Sequence, residues 1–253
     1  MRVFASERQA RVLQELHRRG KVEVTGLSAL LGVSEDTVRR DLRTLAEAGH
    51  LQKTHGGAVA LDPARMPFRT RADVAGAAKT AIATVAARLV EPGQTLFLDA
   101  GSSVLALAAA LEVRPLQVVT NSLDVAALLE ADEQVTLVLA GGRWDPHSRF
   151  FAGPTAVATL AAHRADWAFL GACALHPGVG ATSVDPLDAA MKQTMAGAAL
   201  RTVVLADATK HGSVAPHAVL GTDAIDVLVT EEVGDLEPWR LRGVDVLVAD
   251  AAG

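Results

Sequence analysis

Seven short, nearly continuous apolar runs dominate the chain beyond Val74, and they limit its fold more than any other feature. Thr95–Leu98, Gln117–Thr120, Thr136–Ala140, Trp167–Leu170, Thr202–Ala206, Ile225–Val229 and Asp245–Ala249 each have the length of a strand, and helix-length segments separate them. A strand that is apolar on both faces has to be covered on both. The pattern therefore predicts an α/β domain, a mostly parallel sheet with helices on both faces. A helix over about 74–90, ended by Glu91-Pro92-Gly93, precedes the first run. Half of the residues are apolar and only 4% aromatic, which suits close helix–sheet packing. A length of 253 residues leaves room for this domain and one smaller one.

The first 61 residues follow a different pattern. Ser6-Glu7-Arg8-Gln9 reads as a capping box opening a helix to Arg19, with Val12, Leu13 and Leu16 inward and Gly20 as its stop. After an extended Lys21–Val24, Thr25 is expected to cap a second helix with Leu27, Leu30 and Leu31 inward, ended by Gly32. Ser34 caps a third, where Val38, Leu42 and Leu45 form a narrow apolar stripe and Gly49 is the stop. Its other side carries Asp36, Arg40 and Arg43, flanked by Thr37 and Arg39. Alone, this is an ordinary solvated helix face. Behind a helix and a tight turn, it has the spacing of a helix–turn–helix whose arginines can reach guanine or phosphate in the major groove. Two extended runs, His50–Thr54 and Ala58–Leu61, flank His55-Gly56-Gly57 and predict a β-hairpin wing with Lys53 and His55 near phosphate. Residues 1–60 hold ten Lys and Arg against seven Asp and Glu, a net of +3; the remainder holds 14 against 22, a net of −8. A mildly basic head on an acidic body fits a nucleic-acid module joined to something else.

The expected domains are 1–61, a linker over 62–73 with Pro63, Pro67 and three arginines, and 74–253. No apolar run reaches the roughly 18 residues of a membrane span. The first residues lack an apolar signal core, so a cytoplasmic location is expected. Cys173 is the sole cysteine, which excludes an internal disulfide and a cysteine-built zinc site; the eight histidines are scattered, and no metal or other cofactor is expected.

Ligands of open α/β sheets bind outside the carboxyl ends of the strands. Those ends read Asp99-Ala100-Gly101-Ser102-Ser103, Thr120-Asn121-Ser122, Gly141-Gly142-Arg143, Gly171 and Asp207-Ala208-Thr209-Lys210. Glycines, hydroxyls, an amide and a lysine are the groups that hold phosphate and sugar hydroxyls, and Gly101-Ser102-Ser103 opens a helix whose free N–H groups suit phosphate. Taken singly, each has a plain alternative: Ser103 and Ser122 as caps, Gly101 as a turn residue, Lys210 in a surface ion pair. Their convergence on one rim favours a shared anionic ligand.

Residues 6–60 resemble the DNA-binding domain of the DeoR family of bacterial transcriptional regulators, through Gly20-Lys21-Val22, Leu27 to Leu31, Gly32-Val33-Ser34, Thr37-Val38-Arg39-Arg40-Asp41-Leu42 and His55-Gly56-Gly57-Ala58. Pro67-Phe68 and Arg71 match the family's linker. The resemblance implies a repressor of a carbohydrate-metabolism operon, binding double-stranded operator DNA through Ser34, Asp36, Thr37, Arg39, Arg40, Arg43, Lys53 and His55. It continues into the second domain, which in the family resembles ribose-5-phosphate isomerase and answers to phosphorylated sugars or related metabolites. The implied effector residues are Asp99, Gly101, Ser102, Ser103, Asn121, Ser122, Gly142, Lys192, Asp207 and Lys210, with Thr120, Gly141 and Asp166 at further matching positions. Ser102 and Ser103 stand where threonines are common, and Asp188 where a glutamate is usual.

Two other readings stay open. In the isomerases a strand ends in Asp-Gly-Ala-Asp-Glu, whereas this chain has Leu170-Gly171-Ala172-Cys173-Ala174; the lost carboxylates favour a sensor over an isomerase-like enzyme. In the third reading the second domain only oligomerises. A single winged domain makes few contacts, so a homo-oligomer of at least two copies on repeated half-sites is expected.

Overall fold

The computed structural model describes residues 5–47, 51–60 and 66–250, which divide into compact units over 1–70 and 71–253. In the first, α1 (Ala5–Arg19), β1 (Lys21–Glu23), α2 (Val24–Leu31), α3 (Glu35–Glu47), β2 (Leu51–Thr54) and β3 (Gly57–Ala60) enclose a core that includes Leu16, Leu27, Val38 and Leu42. The wing is present: β2 and β3 form an antiparallel hairpin, and β1 adds to β3 in the order β1-β3-β2. Gly57 belongs to the strand rather than the turn. A Cβ there would lie 1.9 Å from the Val22 carbonyl oxygen, so only glycine lets β3 come this close to β1.

Two expectations for α2 are corrected. The helix starts at Val24, with Thr25 inside it. Val24 N–H donates to the Gly56 carbonyl at 2.9 Å, so the wing turn supplies what a side-chain cap would have supplied. Leu30 is 54% exposed; Val24, Leu27 and Leu31 make the inner face of so short a helix. Gly32, at φ 65°, ends it as expected. The side chain of Ser6 and the residue Gly49 lie outside the described residues.

Part of the expected linker is helical. Residues 61–65 lie outside the described residues, while α4 spans Phe68–Asp73, and the single helix expected to start near 74 is replaced by α5 (Gly76–Ala87) after a break at Ala75, φ 54°. The second unit continues with β4 (Thr95–Leu98), α6 (Ser102–Ala110), β5 (Leu116–Thr120), α7 (Leu123–Leu129), β6 (Val135–Leu139), β7 (Arg143–Asp145), β8 (Phe150–Ala152), α8 (Pro154–Ala161) and β9 (Ala165–Gly171). It ends with β10 (Ala174–His176), β11 (Gly180–Ser183), α9 (Pro186–Gly197), β12 (Ala199–Ala206), β13 (His217–Leu220), β14 (Val227–Glu231), α10 (Glu237–Arg240) and β15 (Asp245–Ala249).

All seven apolar runs form one parallel sheet, ordered β15-β14-β12-β9-β4-β5-β6. Ile82, Leu98, Leu107 and Phe169 pack one face with α5 and α6, and Phe97, Leu160, Leu170 and Met191 pack the other with α8 and α9. Two additions were not expected from sequence: the β7–β8 hairpin and an antiparallel sheet in the order β10-β11-β13. No helix among the described residues is long and apolar enough to cross a membrane.

Candidate nucleic-acid interface and effector site

On α3, Val38 and Leu42 are fully buried and turn the polar side outward. Ser34 Oγ accepts from Thr37 N–H at 3.3 Å and lies 3.0 Å from Thr37 Oγ1, so both hydroxyls take part in starting the helix. Arg39 is held on its own helix, donating to Glu35 at 2.5 Å and to Asp36 at 3.2 Å. Arg40 and Arg43 are exposed and form no ion pair with a described residue, and Lys53 and His55 are exposed on β2 and the wing turn. The sequence reading left Asp41 without a role. It is buried on α3 and takes a forked ion pair from Arg8 of α1, with Arg8 Nη2 at 2.9 Å from Oδ1. That pair locks the arginine-bearing helix to the first helix. Its only sequence signal is an acidic residue one place before the buried Leu42.

In the second unit the sheet topology brings the predicted residues to one rim. Asp99 directly follows β4 and is fully buried. Its Oδ2 lies 2.9 Å from Lys192 Nζ and accepts from Gly171 N–H at 3.1 Å, while its Oδ1 is buried without a partner. Lys192, on α9, also pairs with Asp188 one turn back, and Ser183 donates to Asp188 at 2.7 Å. Cys173 Sγ is 3.7 Å from Ser183 Oγ at the edge of this chain of contacts. Burial pushes the Asp99 carboxyl above its ordinary value against the pull of Lys192. Burial works against the Lys192 ammonium too, but Asp188 and Asp99 more than offset it, so its pKa stands well above that of a free lysine.

Gly101, with extended backbone, precedes α6, and no side chain caps that helix; Ser102 and Ser103 occupy its open first turn. Asn121 donates through Nδ2 to the Phe151 carbonyl at 3.1 Å, leaving its buried Oδ1 without a partner. Ser122 is a true cap of α7, accepting from Val125 N–H at 3.2 Å. Gly142, at φ 144°, has a packing reason of its own: a Cβ would lie 2.6 Å from the Ala152 carbonyl oxygen of β8.

Asp207 caps the short turn Ala208–Lys210, accepting from Thr209 N–H at 3.0 Å through Oδ1, while its buried Oδ2 lacks a partner. β9 separates β12 from β4, so this group sits about 10 Å along the rim from Asp99. Lys210 is buried beside Asp207 in sequence. Asp166 does not belong with the others. It lies at the start of β9 and accepts from Thr95 N–H at 2.8 Å, sealing the opposite end of the sheet.

A winged helix–turn–helix with an outward arginine face, joined to an α/β unit whose strand ends carry a polar rim, defines a DNA-binding regulator with a sensor domain. Residues 8–64 match the DeoR-like helix-turn-helix domain and residues 75–232 the DeoR C terminal sensor domain. The chain belongs to the DeoR family of transcriptional regulators. It is 33% identical to the HTH-type transcriptional regulator GolR of Listeria innocua, over 90% of this chain and 91% of that one. It is 28% identical to the HTH-type transcriptional repressor GlcR of Bacillus subtilis, over 98% of each. Among solved structures it is similar to ribose 5-phosphate isomerase A of Methanocaldococcus jannaschii, at 19% identity and TM-score 0.39 over 53% of each chain.

Proposed function

We propose that this regulator represses a carbohydrate-metabolism operon, binds its operator as at least a dimer, and answers to a phosphorylated sugar held at the rim formed by the ends of β4, β5 and β12. One observation carries the effector reading. Asp99 Oδ1, Asn121 Oδ1 and Asp207 Oδ2 are all buried acceptors without a partner, and all three lie at the carboxyl ends of parallel strands. Orphan acceptors of this kind are costly unless a donor meets them. A polyhydroxylated ligand brings such donors, and the open first turn at Ser102 and Ser103, with Lys210 on the same rim, suits its phosphate.

The unit works as a sensor rather than an isomerase. Asp99 and Asp188 both engage Lys192, so neither stands as a free base beside a substrate carbon. Ligand changes operator affinity through its unequal affinity for the DNA-competent and DNA-incompetent states. A thermal-shift screen of phosphorylated sugars against the matching free sugars identifies the effector. With that ligand, Lys210→Ala and Ser102→Asp lose the response in an operator-binding titration and keep operator binding without it. Unchanged ligand affinity in both variants refutes the assignment; stabilisation by free sugars alone refutes the phosphate.

A further inference from the structure

We propose that the outer edge of β6 is where two copies of this chain join, antiparallel across a two-fold axis. The proposal rests on the dimer reading above and names its surface. Among the described residues β6 pairs only with β5. Leu116 N–H donates to the Gln134 carbonyl at 3.1 Å and Ala140 N–H to the Thr120 carbonyl at 2.7 Å. Even-numbered residues of β6 therefore direct their backbone groups to β5, and Leu137 and Leu139 direct theirs outward. The strand reads Val-Thr-Leu-Val-Leu, without the charge or proline that keeps free edges apart. Leu139 is 38% exposed, and Leu128 on the flanking α7 is 46% exposed.

Charge selects a second copy as the occupant. Glu130 and Glu133 are exposed before β6 and Arg143 is exposed after it, while Asp132 in the same run is already paired with Arg114 at 2.6 Å. An antiparallel copy brings each acidic end to the other's basic end. With Val138 on the axis opposite itself, Leu137 of one copy exchanges backbone hydrogen bonds with Leu139 of the other, and the turn that carries Glu133 before the strand comes to the end of the seam where Arg143 follows the other copy's strand. The other sheet edge, β15, has Asp245 at its start and Asp250 just beyond its end. The same operation there sets Asp250 beside Asp245 of the second copy, like against like. β6 is built to pair and β15 to stay apart.

The test uses the full chain. Val138→Cys occupies a non-hydrogen-bonded antiparallel position, where facing Cα atoms stand about 4.5 Å apart and within disulfide reach. A mild oxidant yields a covalent dimer of this variant, whereas the wild type, with its Cys173, and Val248→Cys on β15 remain single chains in denaturing electrophoresis. In sedimentation, Arg143→Glu raises the dimer dissociation constant about tenfold, because two symmetric pairs turn from attraction to repulsion. Adding Glu133→Arg to it restores the dimer. A wild-type dimer indifferent to Arg143→Glu and not cross-linked through Val138→Cys overturns the β6 surface and leaves the dimer reading standing. A wild-type monomer at micromolar concentration, with and without DNA, overturns both.

Discussion

Removing the Lys192 ammonium tests whether the buried charges of the effector rim hold one another in place. In Lys192→Met, Asp99 keeps a single donor, Gly171 N–H at 3.1 Å, and loses the cation 2.9 Å from Oδ2, while Asp188 loses its partner as well. Breaking a buried pair from one side costs about 3–5 kcal/mol, because the remaining charge is left in the interior. For a unit of this size that corresponds to roughly 6–20 °C in the midpoint of thermal unfolding. The loss depends on pH in a definite direction. Burial already raises the Asp99 carboxyl above its ordinary value. The native state thus keeps this proton over a range where the unfolded chain has released it, and stability falls as pH rises through that range. Without Lys192 the range extends upward, so the variant is penalised less at a pH of about 5 than at about 8. Asp99→Asn added to Lys192→Met recovers much of the loss, since a neutral amide needs no counter-charge. Calorimetry at the two pH values provides the check. A Lys192→Met midpoint within about 1 °C of wild type at both, below what even 1 kcal/mol produces, refutes the reasoning.

Arg40→Ala weakens operator binding by about 1–3 kcal/mol in a fluorescence titration at fixed salt, and more than Arg39→Ala does, because Arg39 is already engaged by Glu35 and Asp36; the reverse order sinks this assignment of the helix face. Gly57→Ala forces β3 away from the Val22 carbonyl and costs about 3 kcal/mol, seen as loss of DNA binding with the effector-induced shift of the larger unit intact. Arg8→Ala takes the charged partner from the buried Asp41, leaving it the 3.5 Å contact from Gln9, and destabilises the DNA-binding unit by about 3 kcal/mol although Arg8 belongs to neither the arginine-bearing helix nor the wing; native-state hydrogen exchange of α3 reads it out.

The sheet was legible because its signal is local. Each central strand is buried on both faces and so reads as an apolar run, and all seven fell where those runs lie. The three- and four-residue strands β7, β8, β10, β11 and β13 lack that signal; partners elsewhere in the chain make them strands. Leu30 and Thr25 were misread because the wing turn, remote in sequence, sets where α2 begins. The polar rim was legible as strand-end chemistry, except for Asp166, which came from the family resemblance although the apolar run from Trp167 already set it at the opposite, starting end of β9. Lys192 came from family resemblance alone. Its meeting with Asp99 joins α9 to the end of β4, and nothing in either segment announces it.

Lys79 gives the start of the larger unit a fixed anchorage. Buried on α5, its ammonium donates to the Arg71 carbonyl at 2.6 Å and the Val74 carbonyl at 2.5 Å, gripping the chain as it leaves α4. α5 in turn packs along α6, whose first turn holds Ser102 and Ser103. The point where the polypeptide arrives from the DNA-reading half is therefore fastened to the immediate neighbour of the helix that opens onto the rim. A displacement of α6 by a fraction of an ångström at its first turn would reach that fastening through one helix–helix contact, with no loop in between to absorb it. Loosening the knot at Lys79 would free the chain's entry into the larger unit without touching the arginine face or the polar rim.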